Sequence, residues 1–287
     1  MGNHGAMKKF VLKVTCQDQR GIVGAVGQCI AALGGCITES GQFVDPTTGR
    51  LFMRVCFQFD SDVSREVLER HFEPVVQRYR MRMETFDLSQ KPRVLIMVSQ
   101  LGHCLNDLLY RNSIDQLPLQ LVGVVSNHTV YRARVEHEGI PFHHLPVTPD
   151  NKAEQERIFL ALLDSLEVDL VVLARYMQIL SDDLCRRLPG KVINIHHSFL
   201  PSFKGAKPYH QAYERGVKLI GATAHYVTAD LDEGPIIEQD IRRVDHATGP
   251  DEMVAIGRDT ECQVLAKAVK THVEHRILLN ENRTIIF

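Results

Sequence analysis

Features that mark secreted, membrane-bound or nucleic-acid-binding proteins are scarce in this sequence. The 287 residues carry a formal charge of only −2, and the basic residues are scattered along the chain. Nucleic acid is therefore disfavoured as a partner, because its recognition needs a basic cluster. No apolar run reaches the ~20 residues of a membrane-spanning helix, and no apolar segment follows the first charged residues. The sequence predicts neither membrane insertion nor secretion.

Cysteine is present, but not in a pattern that indicates disulfides or a metal site. The seven cysteines are an odd number and include no Cys-x-x-Cys pair, and most lie in apolar stretches. We expect reduced thiols in a cytoplasmic protein. His197 and His210 lack the spacing of a zinc site, so no metal is expected.

Length and composition favour one large or two ordinary globular domains. The chain is 44% hydrophobic and 24% charged, as is usual for globular proteins. Residues 88–92 are polar and include a proline. This break predicts a boundary between a first domain at 8–88 and a second at 93–287.

The first domain is predicted to be a ferredoxin-like α/β sheet with two helices on one face. A hairpin turn is indicated at residues 45–49. The apolar patterns predict strands and helices in the order βαββαβ, at 10–15, 22–33, 36–44, 51–59, 63–79 and 81–86.

One segment of this domain, CQDQRGIVGAVGQCIAALGGCITES, resembles the ACT domain, a small regulatory module. The resemblance implies that the loop containing Asp18, Arg20 and Gly21 binds an amino-acid effector. Such loops often read Asp-Arg-Pro-Gly, whereas this one reads Asp-Gln-Arg-Gly. The alternative is a domain that only holds a homo-oligomer together.

The second domain alternates apolar strands with helices, which predicts a mostly parallel, Rossmann-like sheet. Its strands suit burial on both faces. A C-terminal helix at 251–275 is expected to pack across the sheet. The other predicted strands lie at 94–98, 119–125 and 170–173, and the helices at 104–110, 130–138 and 153–166.

Polar residues interrupt two further apolar strands of this domain. Asn194 and His196 lie two apart on the strand 192–196 and are expected to face the same way. His225 lies on the strand 220–227, and Asp232 follows it in a polar loop before Gly234. An amide donor, an imidazole and a carboxylate are suited to adding water or an amine to a carbonyl.

Each of these residues also has a purely structural explanation. A single histidine on a strand is usually just hydrogen-bonded, and Asp232 beside a Gly-Pro break is compatible with an ordinary turn. Their coincidence at strand ends of one predicted sheet favours catalysis. The sequence leaves open whether Asp232 takes a proton from water directly or holds His196 in its working state.

Three stretches together, INIHHSFLPSFKGAKPYH, GATAHYVTADLDEGPIIEQ and LARYMQIL, resemble the folate-dependent formyltransferase fold. With an ACT-like domain in front, the chain resembles the formyltetrahydrofolate deformylase family. The resemblance implies hydrolysis of 10-formyltetrahydrofolate to formate and tetrahydrofolate, which supplies formate and recycles folate for purine synthesis. It also implies a homotetramer or another homo-oligomer, with folate as the substrate and no separate cofactor.

The resemblance also implies roles for individual residues. Asn194, His196 and Asp232 correspond to the catalytic set, and His225 is expected to orient Asp232. The pterin ring is expected in an apolar slot, where backbone groups recognise its edge of hydrogen-bond donors and acceptors. The predicted lining of this slot is Tyr176, Met177, Gln178, Ile179, Leu180, Thr228 and Ala229.

The loop after the first strand of the second domain bears on the acceptor of the formyl group. Related glycinamide ribonucleotide transformylases carry several glycines there, whose backbone N–H groups hold the acceptor's phosphate. Here residues 99–104 read Ser-Gln-Leu-Gly-His-Cys, with one glycine, which favours water. Transfer to an amine such as glycinamide ribonucleotide, or a non-catalytic folate or amino-acid sensor, are the alternatives.

Overall fold

The alternating apolar residues of the N-terminal region form four strands and two helices in this computed structural model, which describes residues 7–197 and 208–287. The six elements are β1 (Lys8–Gln17), α1 (Ile22–Ala32), β2 (Cys36–Val44), β3 (Arg50–Phe59), α2 (Arg65–Tyr79) and β4 (Arg82–Asp87). The antiparallel sheet has the order β2-β3-β1-β4. The ferredoxin-like prediction is confirmed.

The core of this sheet follows directly from the two periodicities of the sequence. Phe10 and every second residue to Cys16 on β1 are buried, as are residues spaced by four on α1. Phe10, Phe57 and Phe59 form an aromatic cluster with ring centroids 5.7–6.0 Å apart. Both helices bury their apolar faces in the same cluster, which places them on one face of the sheet.

The chain forms two compact units, and the first of them includes residues from the C-terminus. It contains the chain up to Lys91 together with His275–Asn280 and Ile285–Phe287. The His275 ring stacks on Phe86 with centroids 3.8 Å apart, and Asn280 Nδ2 donates to Asp45 Oδ2 at 2.8 Å. The sequence prediction extends the second domain to residue 287. Contacts between the C-terminal residues and the first unit join segments far apart in the chain, and such contacts have no local signal in a sequence.

The second unit contains Pro92–Glu274 and Glu281–Thr284. Its sheet has the order β11-β10-β9-β8-β5-β6-β7. The strands of this sheet are β5 (Arg93–Val98), β6 (Gln120–Ser126), β7 (Phe142–His144), β8 (Leu170–Leu173), β9 (Val192–His196), β10 (Leu219–Tyr226) and β11 (Ile236–Arg243). Outside this sheet, β12 (Ile277–Asn280) lies in the first unit, and β13 (Arg283–Ile286) follows it along the chain. The helices are α3 (His103–Ser113), α4 (Arg132–His137), α5 (Lys152–Ser165), α6 (Asp182–Arg187), α7 (Pro208–Glu214) and α8 (Pro250–Val273).

Strands β5 to β9 are parallel, which confirms the prediction of a mostly parallel sheet. The exception is β10, which pairs antiparallel with both of its neighbours, β9 and β11. The sequence prediction did not include β7, β11, β12, β13, α6 or α7. These elements are short or polar, so their periodicity is weak. The part of motif INIHHSFLPSFKGAKPYH at 198–207 lies outside the described residues.

In the described part of the chain, every helix falls short of the length or apolarity that a membrane crossing requires. All seven cysteines are free thiols.

We expect Asn280→Ala to destabilise the first unit, because it removes one of the hydrogen-bond donors to the buried Asp45 carboxylate. Asn280 is fully buried. Loss of one such bond should lower the thermal unfolding midpoint of this unit by about 4 °C or more. The matched control is Leu279→Ala at the neighbouring, 42% exposed position. Equal midpoints for the two variants would show that the C-terminal residues do not support this unit.

Candidate active site

The pairing of β9 with β10 brings three of the predicted polar residues together. Ile193 and Ile195 are buried, so Asn194 and His196 share the opposite face of β9. Because β10 is antiparallel, His225 lies directly across from Asn194. Asn194 Nδ2 and His225 Nε2 are 3.3 Å apart. A register irregularity in the β10–β11 pairing falls between Ala224 and His225, where such bulges re-aim side chains.

Asp232 reaches this group from the loop after β10. Its backbone is left-handed, with φ of 58°. A Cβ on Gly234 would lie 1.7 Å from the Tyr226 carbonyl oxygen, so the loop turns back through a space that only glycine fits. Asp232 Oδ2 lies 3.4 Å from His196 Nδ1, and Oδ1 lies 3.7 Å from His225 Nε2.

The hydrogen bonds constrain the protonation of these rings. His225 Nδ1 lies 2.9 Å from the Tyr226 carbonyl and must donate to it, so the neutral ring accepts from Asn194 at Nε2. The His196 side chain lowers the pKa of Asp232 well below its usual value, although burial opposes the shift. Asp232 is therefore a carboxylate at neutral pH. Among the described residues, none bonds the buried Nε2 of His196.

These four side chains line a cavity of about 320 Å³ in the second unit. Its volume is within the range of small-molecule sites. Of the predicted pterin slot, all residues except Ala229 line it, namely Tyr176, Met177, Gln178, Ile179, Leu180 and Thr228. Tyr176 is buried, which raises its pKa to about 12, whereas Met177 and Ile179 are exposed on the cavity rim.

The loop that carries the slot residues is anchored to the end of β5. Ser99 Oγ accepts from the Met177 N–H at 3.0 Å and donates to Asn127 Oδ1 at 2.8 Å. The Ser99 N–H donates to the Arg175 carbonyl at 3.2 Å. The sequence prediction did not identify Ser99 or Arg175 as site residues. A polar residue directly after a buried parallel strand is the signal that points to them.

His197 also lines the cavity, although the sequence offered it only as a weak zinc candidate. Its ring stacks on His196, with centroids 4.7 Å apart, and its Nδ1 lies 2.9 Å from Arg175 Nη1. The ring contact places His197 directly beside His196.

One group of described side chains has the geometry of a metal site. His103, Cys104 and Glu261 place their ligand atoms within 4.8 Å of one another. Glu261 already accepts hydrogen bonds from Tyr209 Oη at 2.9 Å and from His103 Nε2 at 2.7 Å. A hydrogen bond with Cys262, and burial, raise the pKa of the Cys104 thiol. A hydrogen-bond network fits this group better than a cation does.

The predicted effector loop lies in the first unit, between β1 and α1. Asp18, Arg20 and Gly21 are exposed, and Gly21 is left-handed with φ of 93°. The Asp18 N–H donates to the Gly49 carbonyl at 2.9 Å.

The sheet order and the cavity at β9 and β10 define an enzyme domain of the formyl transferase class, and the family model "Formyl transferase" matches residues 92–269. A formyltetrahydrofolate deformylase of Corynebacterium sp. (strain P-1) is 50% identical, covering 97% of this chain and 98% of that protein. The crystal structure of the Burkholderia mallei formyltetrahydrofolate deformylase has a TM-score of 0.94 at 48% identity, with 98% and 99% coverage. The chain belongs to the formyltetrahydrofolate deformylase family.

The chain is also similar to solved structures of proteins named as transformylases. The glycinamide ribonucleotide transformylase 1 of Symbiobacterium toebii is 27% identical with a TM-score of 0.65, covering 70% of this chain and 97% of that one. The identity and the shared length are both smaller than for the deformylases.

We expect Gly234→Ala to displace the loop that carries Asp232. The added Cβ overlaps a backbone oxygen, and displacement of a catalytic group by ~1 Å costs about 100-fold in rate. The measurement is kcat, with Gly249→Ala as control. Gly249 has open space around a Cβ and φ of −73°. More than about a tenth of the parental kcat in the Gly234 variant contradicts the predicted displacement.

The depressed pKa of Asp232 predicts a pH-dependent contribution to stability. A carboxyl whose folded pKa lies below the unfolded value of 3.8 stabilises the fold fully above pH 3.8, and this stabilisation is lost as the pH falls through the folded pKa. The difference in unfolding free energy between the parent and Asp232→Asn should therefore shrink on acidification from pH 5 to about pH 3. Urea titrations at several pH values measure it, and a constant difference contradicts the ion-pair geometry.

Proposed function

We propose that this protein hydrolyses 10-formyltetrahydrofolate to formate and tetrahydrofolate. The observation that carries the proposal is the convergence of Asn194, His196 and Asp232 on one cavity, in a member of the formyltetrahydrofolate deformylase family. An amide donor, an imidazole and an ionised carboxylate are the groups that attack of water on a formamide needs.

The proton of the attacking water goes to His196 in this proposal. A carboxylate with a strongly lowered pKa is a weak proton acceptor, so Asp232 is poorly suited to act alone. Its position near Nδ1 favours the tautomer of His196 that carries hydrogen there and leaves Nε2 as the base. The 3.4 Å separation is long for a hydrogen bond, as is common in enzymes without substrate.

Asn194 supplies the electrostatic part of the reaction. Attack of water on the formyl carbon places negative charge on the formyl oxygen, and a preset N–H donor stabilises it. Asn194 Nδ2 is held by His225, which is held in turn by the Tyr226 carbonyl. His225 thus orients the amide by a hydrogen bond and approaches Asp232 only at ion-pair distance.

The steps balance without a further reactant. The water oxygen bonds to the formyl carbon while His196 takes one proton. The tetrahedral species then collapses, the bond between carbon and the folate nitrogen breaks, and His196 returns the proton to that nitrogen. The second water proton stays on the formic acid, which loses it to solvent, so formate and tetrahydrofolate leave.

Water is a better acceptor than a phosphorylated amine at the loop between β5 and α3. His103, the first residue of α3, is bonded to the buried carboxylate of Glu261 at 2.7 Å. A fixed negative charge next to this helix start disfavours an acceptor phosphate. The Tyr131 ring also packs against the one glycine of this loop, since a Cβ on Gly102 would lie 2.2 Å from it, and this leaves less space for a phosphate beside the backbone.

The remaining assignments follow from the family and extend the proposal. We assign the first unit to regulation or homo-oligomer assembly, with the exposed loop at Asp18, Arg20 and Gly21 as the amino-acid effector site. The free thiols suit a cytoplasmic protein that supplies formate and tetrahydrofolate to purine synthesis.

The test is to incubate the purified protein with 10-formyltetrahydrofolate as sole organic reactant and to measure formate. Stoichiometric formate and tetrahydrofolate support hydrolysis. Turnover only after glycinamide ribonucleotide is added identifies a transferase, and binding without turnover identifies a sensor.

We expect Asp232→Asn to lower kcat by about two to four orders of magnitude, because the amide no longer favours the working tautomer of His196. Folate binding should change little, since the slot residues are untouched. Equilibrium binding of tetrahydrofolate and single-turnover kinetics separate the two effects. If the variant keeps more than about a tenth of parental kcat, Asp232 does not have this role.

A further inference from the structure

A row of buried polar side chains leads from α8 to the catalytic imidazole. Glu261 is 1% exposed, and its Oε2 lies 3.5 Å from Arg175 Nε, an ion-pair distance rather than a well-formed hydrogen bond. Arg175 Nη1 lies 2.9 Å from His197 Nδ1. The His197 ring stacks on His196 with an interplanar angle of 22°. The proposed reaction uses neither charge of the Arg175–Glu261 pair.

The contact between Arg175 and His197 selects one state of the imidazole. A guanidinium only donates hydrogen bonds, so His197 Nδ1 must present its lone pair, and the ring is neutral with hydrogen on Nε2. Burial first, then Arg175 and His196, lower the pKa of His197 to about 4, while Glu261 and Asp232 act in the opposite direction.

Glu261 makes a buried guanidinium tolerable at this position. An uncompensated buried cation is costly, and a carboxylate at ion-pair distance offsets much of that cost. Glu261 is itself held by His103 and Tyr209, on two further elements. Gly257 leaves room for the Tyr209 ring, since a Cβ there would lie 2.1 Å from it. The pair is therefore fixed from several sides.

We propose that Arg175 and Glu261 are positioning residues that hold His197 as a neutral, oriented ring against His196. A neutral neighbour lets His196 take a proton during hydrolysis without a second imidazolium beside it. This inference rests on the proposed function for its kinetic consequences, but its structural claim about His197 stands apart from them.

The first test is made on the unmodified protein by NMR of the imidazole nitrogens. The expected result is that His197 remains neutral, with hydrogen on Nε2, from pH 7.5 to pH 5.5. Hydrogen on Nδ1, or a charged His197 ring at pH 6, overturns the proposal. This result does not depend on any activity, so it separates failure of the inference from failure of the proposed function.

The second test is Arg175→Met, which keeps the length of the side chain but removes its donor and charge. The pKa of His197 should then rise, because the guanidinium that opposes a charged ring is gone, while burial and His196 still lower it. We expect kcat to fall at least about tenfold at pH 8. The deficit in kcat relative to the parent should widen as the pH falls and a larger share of His197 becomes charged. A deficit that is the same at every pH indicates a merely structural role and overturns the proposal.

Two further variants complete the design. Arg93→Met is the matched control, because Arg93 is a partly buried arginine at the opposite end of β5 whose Nε donates to the Leu166 carbonyl at 2.7 Å. It should leave the pH profile unchanged. Arg175→Lys retains a donor and a positive charge, so His197 should again be neutral. Any deficit in kcat relative to the parent should then be the same at every pH. If Arg175→Met does not fold, the lysine variant and the NMR result still decide, because a titrating His197 in Arg175→Lys contradicts the proposal.

Discussion

The contact between the Asp232 carboxylate and the His196 imidazole is the interaction on which the rest of the site depends. The carboxylate comes from a loop and the imidazole from the end of β9, so their 3.4 Å approach requires the loop to fold back on the sheet. That return is possible because Gly234 lies against the Tyr226 carbonyl where no side chain fits. The antiparallel pairing of β10 with β9 then places His225 beside Asn194, which completes the site.

Much of this arrangement was predictable because it follows from local patterns. The alternation in β9 determined that Asn194 and His196 share a face, since Ile193 and Ile195 must be buried. The βαββαβ order came from changes of periodicity alone. The antiparallel direction of β10 and the close approach of Gly234 had no local signal, because both depend on contacts between segments far apart in the chain.

The buried charges show the same limit of sequence-based prediction. Glu261 lies on α8 next to Thr260 and one turn from Val264 and Leu265, all buried. A carboxylate on an apolar helix face is unusual, but its partners lie far away in the sequence, Arg175 in the loop after β8 and His103 at the start of α3. The sequence thus indicates that Glu261 needs partners without naming them. In the fold Glu261 lies beside Arg175, which contacts the His197 ring that stacks on His196.

Water as the nucleophile is the central claim, and its oxygen can be traced. The decisive measurement is a reaction with 10-formyltetrahydrofolate in ¹⁸O-labelled water, followed by mass analysis of the formate. Direct hydrolysis predicts one solvent oxygen in each formate molecule and no need for an amine. Formate without solvent oxygen, or label that appears only when an amine acceptor is present, would contradict the account.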